Sequence, residues 1–437
     1  MSVVTPVTAS GIMINNFAVL RRYTMAKGFW KSGHPPTLLM AFLYFDMSFM
    51  CWMVNAAMAP FISQQLGLSP SQKGLMLSIP VLAGALLRIP LGLVAEIVGR
   101  KTAAIIGLSI TIAAMFYGFF FVHTYTEVLI MGSFLGVAGA SFAVALPLGA
   151  GWFPPQYQGL AMGIAGAGNS GTIFAGLFAP PLAEMYGWNI VYGFFAIPII
   201  VVLILMWLIA KEPPDKMEKK KATHYLKVLG EKDIWVFNLL YWVTFGGFVG
   251  FASFVPTFVA DQYGISKVAA GQFMILVGFS ASAVRVVGGW FADRFGGIRA
   301  LTGIYIIILV GALAASSLPS LYVLLIALFI MAAGMGAGNG SVFQLLPLRF
   351  PHAKAITSGI VGEFGSLGGA FIPMIMGWSM QYVGNYSMGF VIYGITAIVA
   401  LALLLIVQNQ WTTSWVGKGG KALPETIEYS SENISGL

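Results

Sequence analysis

The 437-residue sequence predicts an all-α membrane protein: twelve transmembrane helices in two pseudo-symmetric six-helix halves. Three observations predict it. Hydrophobic residues make up 58% of the chain and charged residues 9%. A water-facing globular surface carries about a quarter charged residues, so lipid is the solvent for most of this protein. Twelve apolar stretches approach the roughly 20 residues a helix needs to cross a bilayer. One pattern of charge and glycine occurs twice, at an offset of 197 residues.

Along the chain, residues 1–37 read as a cytoplasmic arm. Its apolar stretch Gly11–Leu20 is too short and polar to span, and no cleavable signal is evident. The first half, 38–210, holds segments 38–61, 75–95, 102–121, 126–150, 158–180 and 187–209. Residues 211–233, with Pro213-Pro214 and a lysine run, read as a solvated linker. The second half, 234–408, holds segments 235–259, 269–291, 300–318, 321–346, 356–378 and 386–408. Residues 409–437 form a cytoplasmic tail. Segments five and eleven are rich in glycine, one of the small residues that let helices approach closely in membranes.

The basic residues orient this array. Nineteen of the 23 Lys and Arg fall in the arm, the linker, the tail and the loops on the same side. The opposite side has only Lys73 and Lys267. Positive charge collects on the cytoplasmic side, so both termini and the linker are expected there, in a multi-pass protein of the inner or plasma membrane. The net charge of +8 thus records orientation and gives no support to nucleic-acid binding. The lone Cys51 excludes an internal disulfide and a zinc–cysteine cluster, and four scattered histidines form no metal signature. No nucleophile–base arrangement appears, so neither an enzyme nor a cofactor is expected, and the chain reads as a monomer.

The duplicated pattern runs Arg88, Gly92, Glu96, Gly99 in the first half and Arg285, Gly289, Asp293, Gly296 in the second. A second correspondence links Phe153-Pro154 and Gly163-Ile-Ala-Gly166 to Phe350-Pro351 and Gly359-Ile-Val-Gly362, with one residue of slippage. Ordered matches at one offset imply duplication of a six-helix unit, parallel because six is even. The Gly-x-x-x-(Asp/Glu)-x-x-Gly motif after segments two and eight resembles the signature of the major facilitator superfamily. That resemblance implies two six-helix bundles exposing a central site to each side in turn. Glu96 and Arg100, with Asp293 and Arg294, would then be gating-loop residues, although Ile97 stands where the second half has Arg294.

Arg88 and Arg285 lie deep inside apolar segments, where a charge costs about 3 kcal/mol on insertion scales. Such residues face a cavity and a partner. Repeat-equivalent arginines meet near the pseudo-symmetry axis, where like charges repel unless an anion lies between them. The guanidinium fork matches flat oxyanions with bidentate donors, which points to nitrate, nitrite, formate or another carboxylate.

Gly163-Ile-Ala-Gly-Ala-Gly168-Asn169-Ser-Gly171 and Gly359-Ile-Val-Gly-Glu-Phe-Gly365-Ser-Leu-Gly368-Gly369 resemble the paired glycine signatures of the nitrate/nitrite porter family. So do Gly84-Ala-Leu-Leu-Arg88-Ile-Pro, the Ala-Asp-Arg-Phe-Gly-Gly run after Arg285, and Leu240-Tyr241-Trp-Val-Thr-Phe245-Gly. The resemblance covers nearly all of the membrane region. It implies that Arg88 and Arg285 clamp nitrate or nitrite, that Asn169 donates a hydrogen bond, and that Phe142 and Phe245 stack about the anion. Tyr241 would bond an arginine or the substrate. Without the resemblance, each aromatic or Asn is equally a packing residue.

Glycines at every third position, Gly359, Gly362, Gly365 and Gly368, drift about 60° per step. With Gly163, Gly166, Gly168 and Gly171 they offer a broad low-bulk face, for static packing or for sliding. Glu363 departs from the glycine signature. An anion arriving nearby favours proton uptake by its carboxyl, which makes protons a candidate co-substrate. The alternative is a permanent ion pair with Arg88 or Arg285; Asp46 is a weaker candidate for the same coupling role. Proton-coupled nitrate uptake, nitrate/nitrite antiport and carboxylate exchange of the oxalate/formate kind all remain open. So do a channel and a receptor without flux, though the repeat favours a carrier.

Overall fold

The computed structural model describes residues 28–214, 227–351 and 353–423. Most of the expected arm, the lysine run of the linker and the end of the tail lie outside these. Among the described residues the chain is helical and contains no strand.

The first half begins with α1 (Pro35–Ala57) and the short α2 (Ala59–Gln65). It continues with α3 (Pro70–Val98), α4 (Arg100–Phe120), α5 (Tyr125–Ala140), α6 (Phe142–Ala150), α7 (Pro155–Gly166), α8 (Gly171–Tyr186) and α9 (Trp188–Ile209). The second half has α10 (Lys232–Tyr241), α11 (Gly247–Tyr263), α12 (Lys267–Phe295), α13 (Gly297–Ser316), α14 (Leu321–Arg349), α15 (Lys354–Val383) and α16 (Ser387–Ser414).

Eleven helices among the described residues are long and apolar enough to cross a membrane, α5–α6 and α10–α11 each counting as one. The expected count of twelve continuous helices is not reached, because segment five is interrupted. It consists of α7 and α8 joined by a 3-10 turn over Ala167–Ser170. Four glycines, Asn169 and Ser170 all hold a helix weakly. Gly168 and Gly171 also let α1 approach so closely that a Cβ at either would press on the Asp46 backbone. Segment seven carries its own irregularity, a π-helical turn over Trp242–Gly246 between α10 and α11. Such turns often mark functional sites.

Local chemistry fixes the helix ends. Capping boxes start α3 (Ser69 with Gln72) and α5 (Thr124 with Glu127). Gly99 and Gly296, the repeat-equivalent glycines, end α3 and α12 at φ +92° and +99°. Both make a sharp turn into the next helix that a side chain would strain.

The packing repeats as the sequence does. In the first half α3 packs on α5 and α4 on α9; in the second α12 packs on α14 and α13 on α16. Between the halves α3 lies along α15, and α8 along α12. This seam is tight at the end opposite the basic loops. Lys73 of α3 pairs with Asp261 of α11 at 2.7 Å, and the Tyr386 hydroxyl donates to the same oxygen at 2.9 Å. The Ser78 hydroxyl donates to the Ala370 carbonyl at 2.6 Å. Toward the basic end, a Cβ added at Gly163, Gly166 or Gly359 would meet nothing within 4 Å.

Candidate functional site

Arg88 sits on α3 two residues before Pro90 and is 6% exposed. Its Nη1 donates to the Gly362 carbonyl of α15 at 2.6 Å, crossing from one half to the other. The guanidinium lies 5.3 Å from the Phe142 ring centroid and 5.7 Å from that of Phe245, one ring from each half. Cation–π contacts of this kind are attractive where water is excluded. Nε of Arg88 has no partner. A buried guanidinium with donors to spare is poised for an acceptor.

Arg285 on α12 occupies the repeat-equivalent position but is half-buried, its guanidinium 5.8 Å from the Phe343 ring. Tyr241 joins the two arginines: its hydroxyl lies beside Arg285 and within electrostatic reach of Arg88. The Tyr241 ring stacks on Phe245 at 5.1 Å with 2° between planes, and meets Phe343 edge-on at 5.1 Å. Tyr241 and Phe245, four residues apart, share one face of the helix across the π-helical turn. Gly365 completes the wall, since a Cβ there would collide with the Tyr241 ring.

Thus the structure brings Arg88, Arg285, Tyr241, Phe142 and Phe245 together. Asn169 lies in the 3-10 turn, 4% exposed, with Oδ1 lacking a hydrogen-bond partner. It joins the cluster indirectly: Gly168 packs on Phe45, whose ring meets Phe142 at 5.4 Å. Glu363 follows the carbonyl that holds Arg88; it is 7% exposed and within electrostatic reach of that arginine. Its Oε2 has no hydrogen-bond partner. Asp46 accepts the Ser170 hydroxyl at 2.6 Å.

The signature glycines divide by depth. Gly168 and Gly171 receive α1, Gly365 and Gly368 receive Tyr241 and Trp242, and Gly362 stands 3.6 Å from Arg88 Nη1 at its Cβ position. Gly163, Gly166 and Gly359 face open space.

Of the gating-loop residues, Arg100 is buried and donates from Nη1 to the Pro147 carbonyl at 3.0 Å. Glu96 is half-buried, while Asp293 and Arg294 are exposed. Arg294 lies 5.6 Å from the rings of Trp290 and Phe295 on its own helix.

Several polar anchors were not singled out by sequence reasoning. Glu212, assigned to the linker, caps α4 by accepting from Arg100 N at 2.7 Å and Lys101 N at 2.8 Å. Arg349 pairs with Asp233 and Glu231, and Asp233 also accepts the Trp411 indole at 2.9 Å. Phe343, which backs Arg285, carries no sequence signal that separates it from other span aromatics. Among the described residues no cluster of metal-ligating side chains occurs.

Two helical halves meet at a cluster of two arginines and four aromatic rings deep in the membrane-spanning region, the architecture of a polytopic membrane carrier. The model of the Major Facilitator Superfamily matches residues 40–373. The chain belongs to that superfamily and to the nitrate/nitrite porter branch its sequence resembles. It is a membrane transporter and not an enzyme. It is 30% identical to a protein of Staphylococcus haemolyticus named a probable nitrate transporter NarT, over 81% of this chain and 92% of that one. It is 29% identical to the nitrite extrusion protein of Bacillus subtilis, over 82% of this chain and 90% of that one. The fold matches a bacterial homologue of the human lysosomal transporter Spinster, TM-score 0.69 at 19% identity, over 87% of this chain and 98% of that one.

Proposed function

We propose that this protein takes up nitrate, and also carries nitrite, across the bacterial cytoplasmic membrane by alternating access, with protons as co-substrate. The observation that carries the reading is that Arg88 and Arg285, one from each half, flank one aromatic cluster. Arg88 lies over Phe245, which stacks on Tyr241, and Arg285 lies over Phe343, which meets the Tyr241 ring edge-on. Two guanidinium groups offer bidentate donors to a planar oxyanion. Phe142 and Phe245 sandwich it in a site of low dielectric, where those bonds are strengthened. Asn169 supplies a further hydrogen bond. The names of the relatives support the same substrates.

The basic side is cytoplasmic in this reading, with both termini there, and the pocket opens toward it. Units 38–210 and 234–408 rock about the site as a monomer in the bilayer. The glycines facing open space, Gly163, Gly166 and Gly359, are where the seam closes when the other side opens. Glu96, Arg100, Asp293 and Arg294 govern that movement from the cytoplasmic loops.

Glu363 is the coupling group. With the site empty its carboxylate balances Arg88 from a distance; an incoming anion takes over that charge and favours a proton on Glu363. Nitrate and proton then cross as a neutral pair. Labelled nitrate uptake into proteoliposomes tests this, with and without an inward proton gradient, for wild type and Glu363→Gln. Gradient-driven accumulation that the variant loses while keeping exchange supports coupling. A second reading, nitrate/nitrite antiport, is favoured by the Bacillus relative's name. Uptake that ignores the gradient and requires internal nitrite establishes antiport and leaves Glu363 a structural partner.

A further inference from the structure

Far from the arginine pocket, a cavity of about 390 Å³ opens where α13 begins and α16 ends. Ile298, Arg299, Thr302, Leu405, Gln408, Asn409, Thr412, Lys418 and Gly419 line it, and none of these is acidic. We infer that this cavity binds the headgroup of an anionic phospholipid of the basic-side leaflet, with Arg299 and Lys418 holding its phosphodiester.

The depth is right for a headgroup. Arg299 directly precedes the apolar run of α13, and Gln408 to Thr412 follow the apolar run of α16. Leu405 and Ile406 are 43% and 71% exposed on the adjoining surface, where acyl chains run. Basic cavities between helices at this level hold anionic headgroups.

The charges are available. Arg299 and Lys418 are exposed, and among the described residues neither side chain has a hydrogen-bond or ion-pair partner. The helix terminus itself is not the anion site, because its N–H groups are already bonded. Ile298 N and Arg299 N donate to the Gly419 carbonyl at 3.1 and 3.2 Å, and Gly297 N to that of Gly420 at 3.4 Å. Gly419 and Gly420 adopt φ +76° and +88°, which lets the strap of chain after α16 fold back onto α13. That fold sets Lys418 beside the cavity and lays the Arg299 stem against Gly419. The amides of Gln408 and Asn409 suit a headgroup bearing hydroxyls, as in phosphatidylglycerol; a choline cation would face two positive charges.

The test is native mass spectrometry of the full-length purified protein, with thermal unfolding in neutral detergent. The probes are phosphatidylglycerol, phosphatidylcholine and inorganic phosphate. Phosphatidylglycerol is expected to form discrete adducts and to raise Tm by several degrees, an effect lost in Arg299→Gln/Lys418→Gln. Phosphatidylcholine should do neither. Lys418→Gln alone provides the charge deletion if the double variant folds poorly. Equal phosphatidylglycerol binding by wild type and variants overturns the inference. So does reproduction of the stabilisation by inorganic phosphate, which assigns the cavity to a free oxyanion.

Discussion

Arg88 donates to the Gly362 carbonyl, so the pocket's most buried cation is anchored on the opposite half of the molecule. The arginine occupies one main-chain acceptor and keeps donors over. The same bond ties α3 to α15 between the Ser78–Ala370 contact and Gly359, which faces open space. In the proposed function, anion binding and the packing of the halves therefore share one residue, Nη1 serving the packing and Nε left for the anion.

That arrangement makes Arg88→Lys a demanding change. An ammonium can reach the Gly362 carbonyl or the anion but cannot present a planar fork. Nitrate affinity is expected to fall at least tenfold, about 1.4 kcal/mol, by calorimetric titration of the purified protein. Retention of wild-type affinity removes Arg88 from the binding role.

At the closed end, Lys73 and Asp261 bridge the halves with Tyr386 in support. A partly exposed pair of this kind contributes about 1 kcal/mol or less. Lys73→Ala should raise the population open on that side up to about fivefold, read from spin-label distances across the seam. An unchanged distance distribution shows that the apolar and glycine contacts alone hold it shut.

Glu212 caps α4 from outside its own span. Replacing it with Ala leaves two N–H groups without their acceptors, and losing a cap costs about 1 kcal/mol. A lower Tm with unaltered nitrate affinity is expected; a loss of affinity at unchanged Tm assigns Glu212 to the transport path instead.

The glycines separate packing from motion. Gly171→Ala drives a methyl into the Asp46 carbonyl of α1 and should destabilise by roughly 2 kcal/mol, the cost of overpacking. Gly359→Ala meets open space and should leave Tm unchanged while slowing turnover, because its neighbour arrives only when the seam closes. If Gly359→Ala transports at the wild-type rate even at saturating nitrate, the seam does not close there.

The sequence by itself determined what solvent and charge dictate. Lipid allows only helices or closed barrels, and apolar runs of about 20 residues select helices, so the apolar segments, the duplicated motif and the intramembrane Arg88 and Arg285 were legible without coordinates. The glycine signatures and the family resemblance were legible too. Tertiary structure decided what depends on approach between distant segments. It broke segment five at Asn169, because α1 presses its backbone onto Gly168 and Gly171. It distinguished the two arginines, burying Arg88 between rings of both halves and leaving Arg285 half-exposed over Phe343. It turned Glu212 from linker charge into a helix cap, and paired Lys73 with Asp261 across 188 positions of sequence. Periodicity reports which residues avoid water, but which neighbour each one meets is fixed only when the helices pack.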